Sequence, residues 1–429
     1  MQRLAVVFVC LAGLFLLHIP AKANETQWIR VASPHLELFT TGEAETASQA
    51  LIELESLRIC FRSAVPGPAT EPARLRIVAF SSESEYQAFR LNSYSPAYFV
   101  GGPGQRTIVL GRLTKESLSS LRHEFVHALA AEYGWTLPLW LAEGLAEQFA
   151  GISTQTARSR TNLLKQNGLP SLRELESLHD TPQDSEAARR FYAASWAMTS
   201  LLFTHPPYRD HFGALLRGGA LEMTSWLAAL GRSENRLNED LLNQIDQLQP
   251  VSADEGTAPI QVESRKEAFP ESDIQFVLVE LQIRLGHLID AGARLAALPE
   301  SARWTPEFWR LTGDLALRST PAGDAVQCYE KAMGLGSTDS RMLQQLAALR
   351  QGQAEAVPAL ERLLEVTPGN EDARLVLSSY YLHERRWQEA MAQLRAVNHP
   401  PPDRVDFYRR AIALAESHLE PSPVLLSTR

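Results

Sequence analysis

The residues best suited to chemistry lie in the segment His123-Glu-Phe-Val-His127. Helix-forming residues surround the segment, and on a helix two residues four apart lie on one face, one turn from each other. Two imidazoles placed in this way can bind a single metal ion. Glu124 follows the first histidine and can face a water molecule beside the metal without binding the metal itself. Because imidazole suits zinc and zinc activates water without redox chemistry, the segment predicts a catalytic zinc site.

A segment downstream offers the third ligand that such a site needs. Pro138 fits the first turn of a new helix, and the following residues form an apolar stripe from Leu141 to Phe149. Glu143 on this helix is far enough from the first pair for the chain to turn and pack back, and we predict that it is a ligand. Glu147 lies one turn further on the same face. It is predicted to accept a hydrogen bond from a ligating histidine, with a solvated surface acid as the alternative.

The two segments together resemble a known family. His-Glu-x-x-His followed by Trp140-Leu-x-Glu-Gly-x-Ala resembles the gluzincins, the zinc peptidases of the thermolysin and M1 aminopeptidase type. The sequence Pro-x-Trp-x-x-Glu-Gly-Leu-Ala-Glu is especially similar to the peptidase MA-like family, whose members are often exported and joined to tetratricopeptide repeats. The resemblance implies that His123, His127 and Glu143 bind zinc and that Glu124 is the general base.

The metzincins, a second group with the same first motif, do not fit this sequence. Ala130 stands where their glycine would be, and Tyr133 replaces their third histidine. The gluzincin resemblance further implies a substrate-pairing edge strand before the metal helix. Residues 107–110 are the candidate, with an ordinary interior strand as the alternative.

The residue that stabilises the developing negative charge is less clearly marked. M1-type enzymes carry a tyrosine for this purpose, and Tyr192 is the candidate here. A buried aromatic residue in the core is the alternative interpretation. His179, His205 and His211 are further candidates, although each fits a loop or surface position equally well.

The elements around these motifs predict an α+β domain, and the gluzincin resemblance implies that this domain is zincin-like. Alternating or apolar runs at residues 36–40 and 75–80 are typical of strands, and residues 98–100 and 107–110 flank a glycine-rich turn as a hairpin. The period becomes helical from Glu116 to about Leu248. Residues 250–273 then change to Ser, Glu, Pro and Gly, which is typical of a linker.

A repeat follows the linker. Ala291, Ala325, Ala356 and Ala390 recur at spacings close to 34 residues, and each is followed four residues later by a bulky apolar residue. This period resembles tetratricopeptide repeats, in which a small residue lets paired helices approach and a bulky one fills the groove. We therefore predict an all-α helical-repeat domain over residues 274–429 that folds separately from a metallopeptidase domain over residues 24–249. The spacing between the second and third alanines is three residues short, which we assign to the turn at residues 351–353.

Composition limits the location and the partners. Residues 1–23 form a charged, apolar and small-residue series typical of a signal peptide cleaved after Ala23, so we expect a periplasmic or secreted protein. The 429-residue chain has a formal net charge of −9, which argues against nucleic acid as a partner. No later apolar run reaches the length of a transmembrane helix. Cys60 and Cys328 lie in different predicted domains and do not indicate a disulfide framework.

These observations predict an exported zinc peptidase of the gluzincin type that acts on a peptide or protein substrate. The repeats add a predicted surface for a protein partner. The alternative is an envelope interaction or scaffold protein that works through its repeats and carries a vestigial metal site. An open site with three protein ligands favours the enzyme, because structural zinc sites are normally closed by four.

Overall fold

The computed structural model describes residues 27–65, 74–91, 96–102, 105–217, 223–251, 265–319 and 324–419. The predicted signal peptide and most of the predicted linker lie outside these residues. Within the described ranges, none of the helices combines the length and the apolar character that crossing a bilayer requires.

The N-terminal part contains a small sheet and several helices. Its strands are β1 Ile29–Ala32, β2 Leu36–Thr40, β3 Leu75–Phe80, β4 Ala97–Val100 and β5 Thr107–Arg112. Its helices are α1 Ala44–Ala64, α2 Glu83–Gln87, α3 Leu118–Glu132, α4 Leu139–Phe149, α5 Thr154–Asn167, α6 Leu172–Glu176, α7 Ser185–Thr204, α8 Pro206–Arg217, α9 Met223–Ala229 and α10 Glu234–Gln244.

The C-terminal part is helical after one more strand. It begins with β6 Arg265–Ala268 and continues with α11 Glu271–Leu285, α12 Leu288–Ala297, α13 Pro306–Arg318, α14 Ala325–Gly334, α15 Ser340–Leu349, α16 Ala356–Val366, α17 Glu371–His383, α18 Trp387–Arg395 and α19 Val405–Leu419. The chain therefore combines a mixed α+β part with an all-α part.

The six strands form one mixed sheet in the order β4-β5-β3-β2-β1-β6. β2, β3 and β5 run parallel to one another, whereas β4 pairs antiparallel with β5 and β1 pairs antiparallel with β2. The parallel strands need crossover connections, and α1 provides the first of them. In the described part of the chain, β4 is thus an edge strand and β5 an interior strand.

Both faces of the sheet are apolar. Ile77 and Ile108 belong to a buried cluster that includes residues of α1, α3 and α4. Val78 and Val109, the next residues along the same strands, belong to a second buried cluster that includes Ile274 in α11. A sheet with two apolar faces must be covered on both. The first helix of the C-terminal part therefore completes the core of the N-terminal part.

The structure differs here from the predicted linker. β6 pairs antiparallel with β1, from Ile29 opposite Ala268 to Ala32 opposite Arg265. Since α11 begins at Glu271, the predicted boundary between residues 273 and 274 lies inside a helix. The composition of residues 250–273 did not indicate strand β6, because a short edge strand needs little apolar surface. The packing of α11 on the sheet argues against a C-terminal part that folds separately.

The C-terminal helices form an array in which consecutive helices pack in pairs, as the repeat pattern predicts. Ala291, Ala325, Ala356 and Ala390 are all buried, each near the start of the second helix of a pair. Helices α13 and α14 approach each other closely at Gly313 in α13, where an added Cβ would overlap the ring of Tyr329 in α14. Small and bulky positions therefore interlock across the pair.

The position of the three-residue shortening differs from the prediction. Helix α15 has 10 residues, whereas α13 and α17, the first helices of the neighbouring pairs, have 13 each. The shortening therefore lies in a helix rather than in the turn at residues 351–353. Removing about one helical turn preserves which face of the helix meets its partner.

The packing of α11 gives a testable expectation. Ile274 is fully buried between α11 and the sheet. Replacing it with aspartate buries an unpaired charge, and we expect the free energy of unfolding to fall by about 4 kcal/mol. Ile289 on α12 is 89% exposed, so Ile289→Asp should change stability by less than about 0.5 kcal/mol. Urea denaturation of both variants tests whether α11 stabilises the sheet. Equal free energies of unfolding for the two variants would show that α11 does not complete the core of the sheet.

Candidate metal centre

Helix α3 carries the two histidines of the predicted site. Its apolar side, which includes Leu121, Phe125 and Leu129, is buried against the sheet and neighbouring helices. His123 and His127 lie on another face, with side-chain exposures of 15% and 21%. Their Nε2 atoms are 3.1 Å apart, so both imidazoles point to the same position.

Helix α4 carries the third predicted ligand. It begins after Pro138, and its buried residues include Trp140, Leu141 and Leu145. In Glu143, Oε2 lies 3.1 Å from Nε2 of His123, and Oε1 lies 3.6 Å from Nε2 of His127. The three side chains that the sequence predicts as ligands therefore converge.

Gly144 explains why α4 can lie this deep. An added Cβ at this position would overlap the hydroxyl group of Thr199 and the carbonyl oxygen of Ser195, both in α7. Only glycine therefore allows α4 to pack directly on α7. Because Gly144 follows Glu143 in the chain, this close contact also fixes the position of the carboxylate.

The protonation of the cluster favours metal binding at Glu143 and opposes it at His123. Burial raises the pKa of Glu143, but hydrogen bonds and charges from His123 and His127 outweigh burial and lower the pKa to about 2. Burial lowers the pKa of His123, but Glu143 and Glu147 outweigh that effect and raise it to about 10. Glu143 is therefore ionised at neutral pH, the form in which a carboxylate binds a metal ion, whereas His123 carries a proton that it must release before its ring can bind one.

Glu147 holds the outer side of His123. Its Oε1 lies 3.2 Å from Nδ1 of His123, and its other oxygen accepts a hydrogen bond of 2.6 Å from Arg160 in α5. With 12% of its side chain exposed, Glu147 does not fit the alternative of a solvated surface acid. Burial raises its pKa, but His123 and Arg160 outweigh burial and lower it. No sequence motif singled out Arg160.

Glu124 lies beside these residues and lines the same cleft as His123. Burial raises the pKa of its carboxyl group. The charges of His123 and His127 oppose this rise, and so does a backbone hydrogen bond from Phe99 in strand β4. The carboxylate is thus close to the converging donors and to the edge of the sheet.

The cleft has a volume of about 940 Å³. Its walls include Pro96 and Ala97 at the start of β4, together with residues of α3, α4, α5 and α7. The edge strand beside the site is therefore β4. The prediction that residues 107–110 form this edge is wrong, because β5 is enclosed between β4 and β3.

Of the residues considered for charge stabilisation, Tyr192 is the one that lines the cleft. Its ring centroid is 6.4 Å from that of His123, and burial raises the pKa of its hydroxyl group to about 12. His179 and His211 are exposed, and His205 caps the end of α7, where its ring lies against Tyr208. The cleft lining does not include these three histidines.

The geometry of the donors fits a zinc ion. One ligand atom from each of His123, His127 and Glu143 lies within 4.8 Å of the others. Tetrahedral zinc with bonds of about 2.1 Å separates its ligand atoms by about 3.4 Å. The observed separations of 3.1, 3.1 and 3.6 Å are close to this value. Two imidazole nitrogens and a carboxylate oxygen also match the preference of zinc over magnesium or calcium.

Comparisons with known proteins add little to this description. No family model matches the sequence, and no curated protein matches it either. Among solved structures, the crystal structure of the yeast Tom70 is similar over 71% of this chain and 72% of that chain, with 16% identity and a TM-score of 0.26. A similarity this low carries no argument about function.

Proposed function

We propose that this protein is an exported zinc-dependent peptidase of the gluzincin type, with a zincin-like catalytic domain. The observation that carries the proposal is the convergence of His123, His127 and Glu143. His123 and the neighbouring Glu124 line an open cleft. Three protein ligands beside an open cleft would leave a position for water or substrate, as in catalytic zinc sites. The resemblance of the two sequence motifs to the peptidase MA-like family supports the same reaction class.

In this proposal, His123, His127 and Glu143 would hold a zinc ion, which would supply Lewis-acid chemistry for the activation of water and of a peptide carbonyl group. Glu124 takes a proton from the attacking water and passes it to the leaving amine. Glu147 accepts a hydrogen bond from Nδ1 of His123, so that Nε2 of this ring, once deprotonated, would be the nitrogen that holds zinc.

The cleft wall supports a peptide as the substrate. β4 lies at the edge of the sheet, and an exposed edge can pair with an extended peptide through main-chain hydrogen bonds. Tyr192 lines the same cleft and is the proposed donor to the developing oxyanion. The long apolar N-terminal segment, which lies outside the described residues, is the basis for proposing export.

The helical array favours a second function, binding of a protein partner. Arrays of paired helices bury a continuous seam and present extended surfaces that commonly bind other proteins. This function does not require a working metal site, so it is also the rival explanation for the whole chain.

Metal analysis and peptide cleavage by the full chain separate the two functions. We expect one zinc per chain and hydrolysis of members of a broad peptide library, lost on chelation and restored by zinc. Hydrolysis that persists unchanged after the zinc has been removed would contradict the proposed chemistry. A protein that holds zinc and cleaves no peptide would favour the scaffold.

A further inference from the structure

A line of three side chains connects helix α5 to the metal site. The Nη2 atom of Arg160 donates to Oε2 of Glu147 at 2.6 Å, and Oε1 of the same carboxylate lies 3.2 Å from Nδ1 of His123. The side chains of Arg160 and Glu147 are 17% and 12% exposed, so water competes poorly for either contact. One oxygen of Glu147 therefore faces the guanidinium while the other faces the imidazole.

Arg160 is itself held by contacts outside this line. Its guanidinium lies 5.9 Å from the ring centroid of Trp196, a fully buried residue of α7. Helix α5 also packs along α7, with Ala157 and Leu164 buried in the shared core. The position of the guanidinium is thus set by two helices that carry no predicted metal ligand.

A carboxylate that lost this partner would keep its place on α4 but not its orientation. Glu147 could then turn either oxygen toward solvent in the cleft, because it lines the cleft wall together with Arg160. Partners of this kind fix the tautomer and ring orientation of a ligating histidine and increase its basicity. The orientation of His123 would consequently be less well defined.

We propose that Arg160 is a positioning residue of the metal centre, acting on His123 through Glu147. This inference rests on the proposed zinc site but not on peptidase activity. Arg160 does not bind the metal. Its guanidinium fixes the carboxylate, and the carboxylate fixes the ring whose Nε2 faces the metal position.

The test is the zinc dissociation constant of the full chain, measured by competition with a chelator at constant pH. We expect Arg160→Gln to weaken zinc binding about 10-fold, the lower end of the range for outer-shell partners. Arg158 lies exposed on the same helix, so Arg158→Gln is the matched control and should leave the constant unchanged. Arg160→Lys keeps the charge and should recover part of the affinity.

The double variant Arg160→Gln/Glu147→Gln distinguishes positioning from general destabilisation. If Arg160 acts through Glu147, the double variant should bind zinc no more weakly than Glu147→Gln alone. The absorption spectrum of bound Co²⁺ should change in Arg160→Gln and stay unchanged in Arg158→Gln. If Arg160→Gln proves poorly folded by circular dichroism, the comparison of Arg160→Lys with Arg158→Gln takes its place.

Two results would overturn the inference while leaving the zinc site intact. One is an affinity for Arg160→Gln equal to that of Arg158→Gln. The other is additive loss in the double variant, which would mean that Arg160 acts independently of Glu147. A wild-type protein that binds zinc with the expected dependence on Arg160 yet hydrolyses nothing would overturn the peptidase alone. A wild-type protein that takes up no zinc would overturn both.

Discussion

Replacing Glu124 with glutamine should lower peptide hydrolysis by about 10²–10⁴-fold, the usual contribution of general acid–base catalysis. The variant keeps the size of the side chain and one acceptor oxygen, but a neutral amide replaces the carboxylate that can accept a proton from water. Glu124 is not among the three converging ligand residues, so zinc should stay bound at one per chain. The measurement is paired, because zinc content and initial hydrolysis rate are determined on the same preparation.

Two comparisons make this result specific. Glu116, exposed just before α3, provides the control substitution Glu116→Gln, which should leave both quantities unchanged. Glu143→Gln should differ from Glu124→Gln by weakening zinc binding, since a neutral amide is a poorer ligand than a carboxylate. Full hydrolytic activity in Glu124→Gln would show that another group takes the proton.

The histidine pair and Glu143 were predictable because local geometry decides their arrangement. Residues 123 and 127 share one helix, and the spacing of four places them on one face whatever the rest of the fold does. Glu143 required one more step, a turn followed by a helix packing back. Pro138 indicates where the second helix begins, and the apolar stripe of α4 indicates that this helix packs against the rest of the domain.

Contacts between distant segments were not predictable in the same way. Arg160 reaches Glu147 from α5, and no spacing rule connects an arginine on one helix to a carboxylate on another. The edge strand was misassigned for a similar reason. Residues 98–100 and 107–110 were both predicted as strands of a hairpin, and only the pairing of one of them with β3 decides which strand is interior.

The sequence did contain a signal that a further helix, here α11, covers the second face of the sheet. Val78, Val109 and Phe39 place apolar side chains on the face of the sheet opposite Ile77 and Ile108. The run at residues 75–80 is nearly continuous in apolar residues, which is typical of strands buried on both faces. A second covering layer was therefore required, and α11 is the helix that supplies it. The change in composition at residues 250–273 suggested a domain boundary. The buried cluster on this face of the sheet nevertheless contains residues from both sides of that boundary.

Replacing His127 with alanine should remove stoichiometric zinc. Structural zinc sites with four ligands bind with about 10–16 kcal/mol, or about 3 kcal/mol per ligand. The loss of one ligand should therefore weaken binding by about 10²–10³-fold, since each 1.4 kcal/mol corresponds to about a factor of ten. The remaining pair, His123 and Glu143, should hold little zinc after dialysis against a chelator. The measurement is metal content per chain together with the zinc dissociation constant.

The fold itself should survive this substitution, which is what makes the result interpretable. His127 has 21% of its side chain exposed and lies in the middle of α3, where alanine is the most favourable helix residue. His211→Ala, an identical change at an exposed position of α8, is the control and should bind zinc as the wild type does. If His127→Ala kept both its helical content and its full complement of zinc, the metal would have to lie elsewhere. The convergence of the three side chains would then be an ordinary hydrogen-bonded cluster, because an ion bound through His127 cannot be indifferent to its removal.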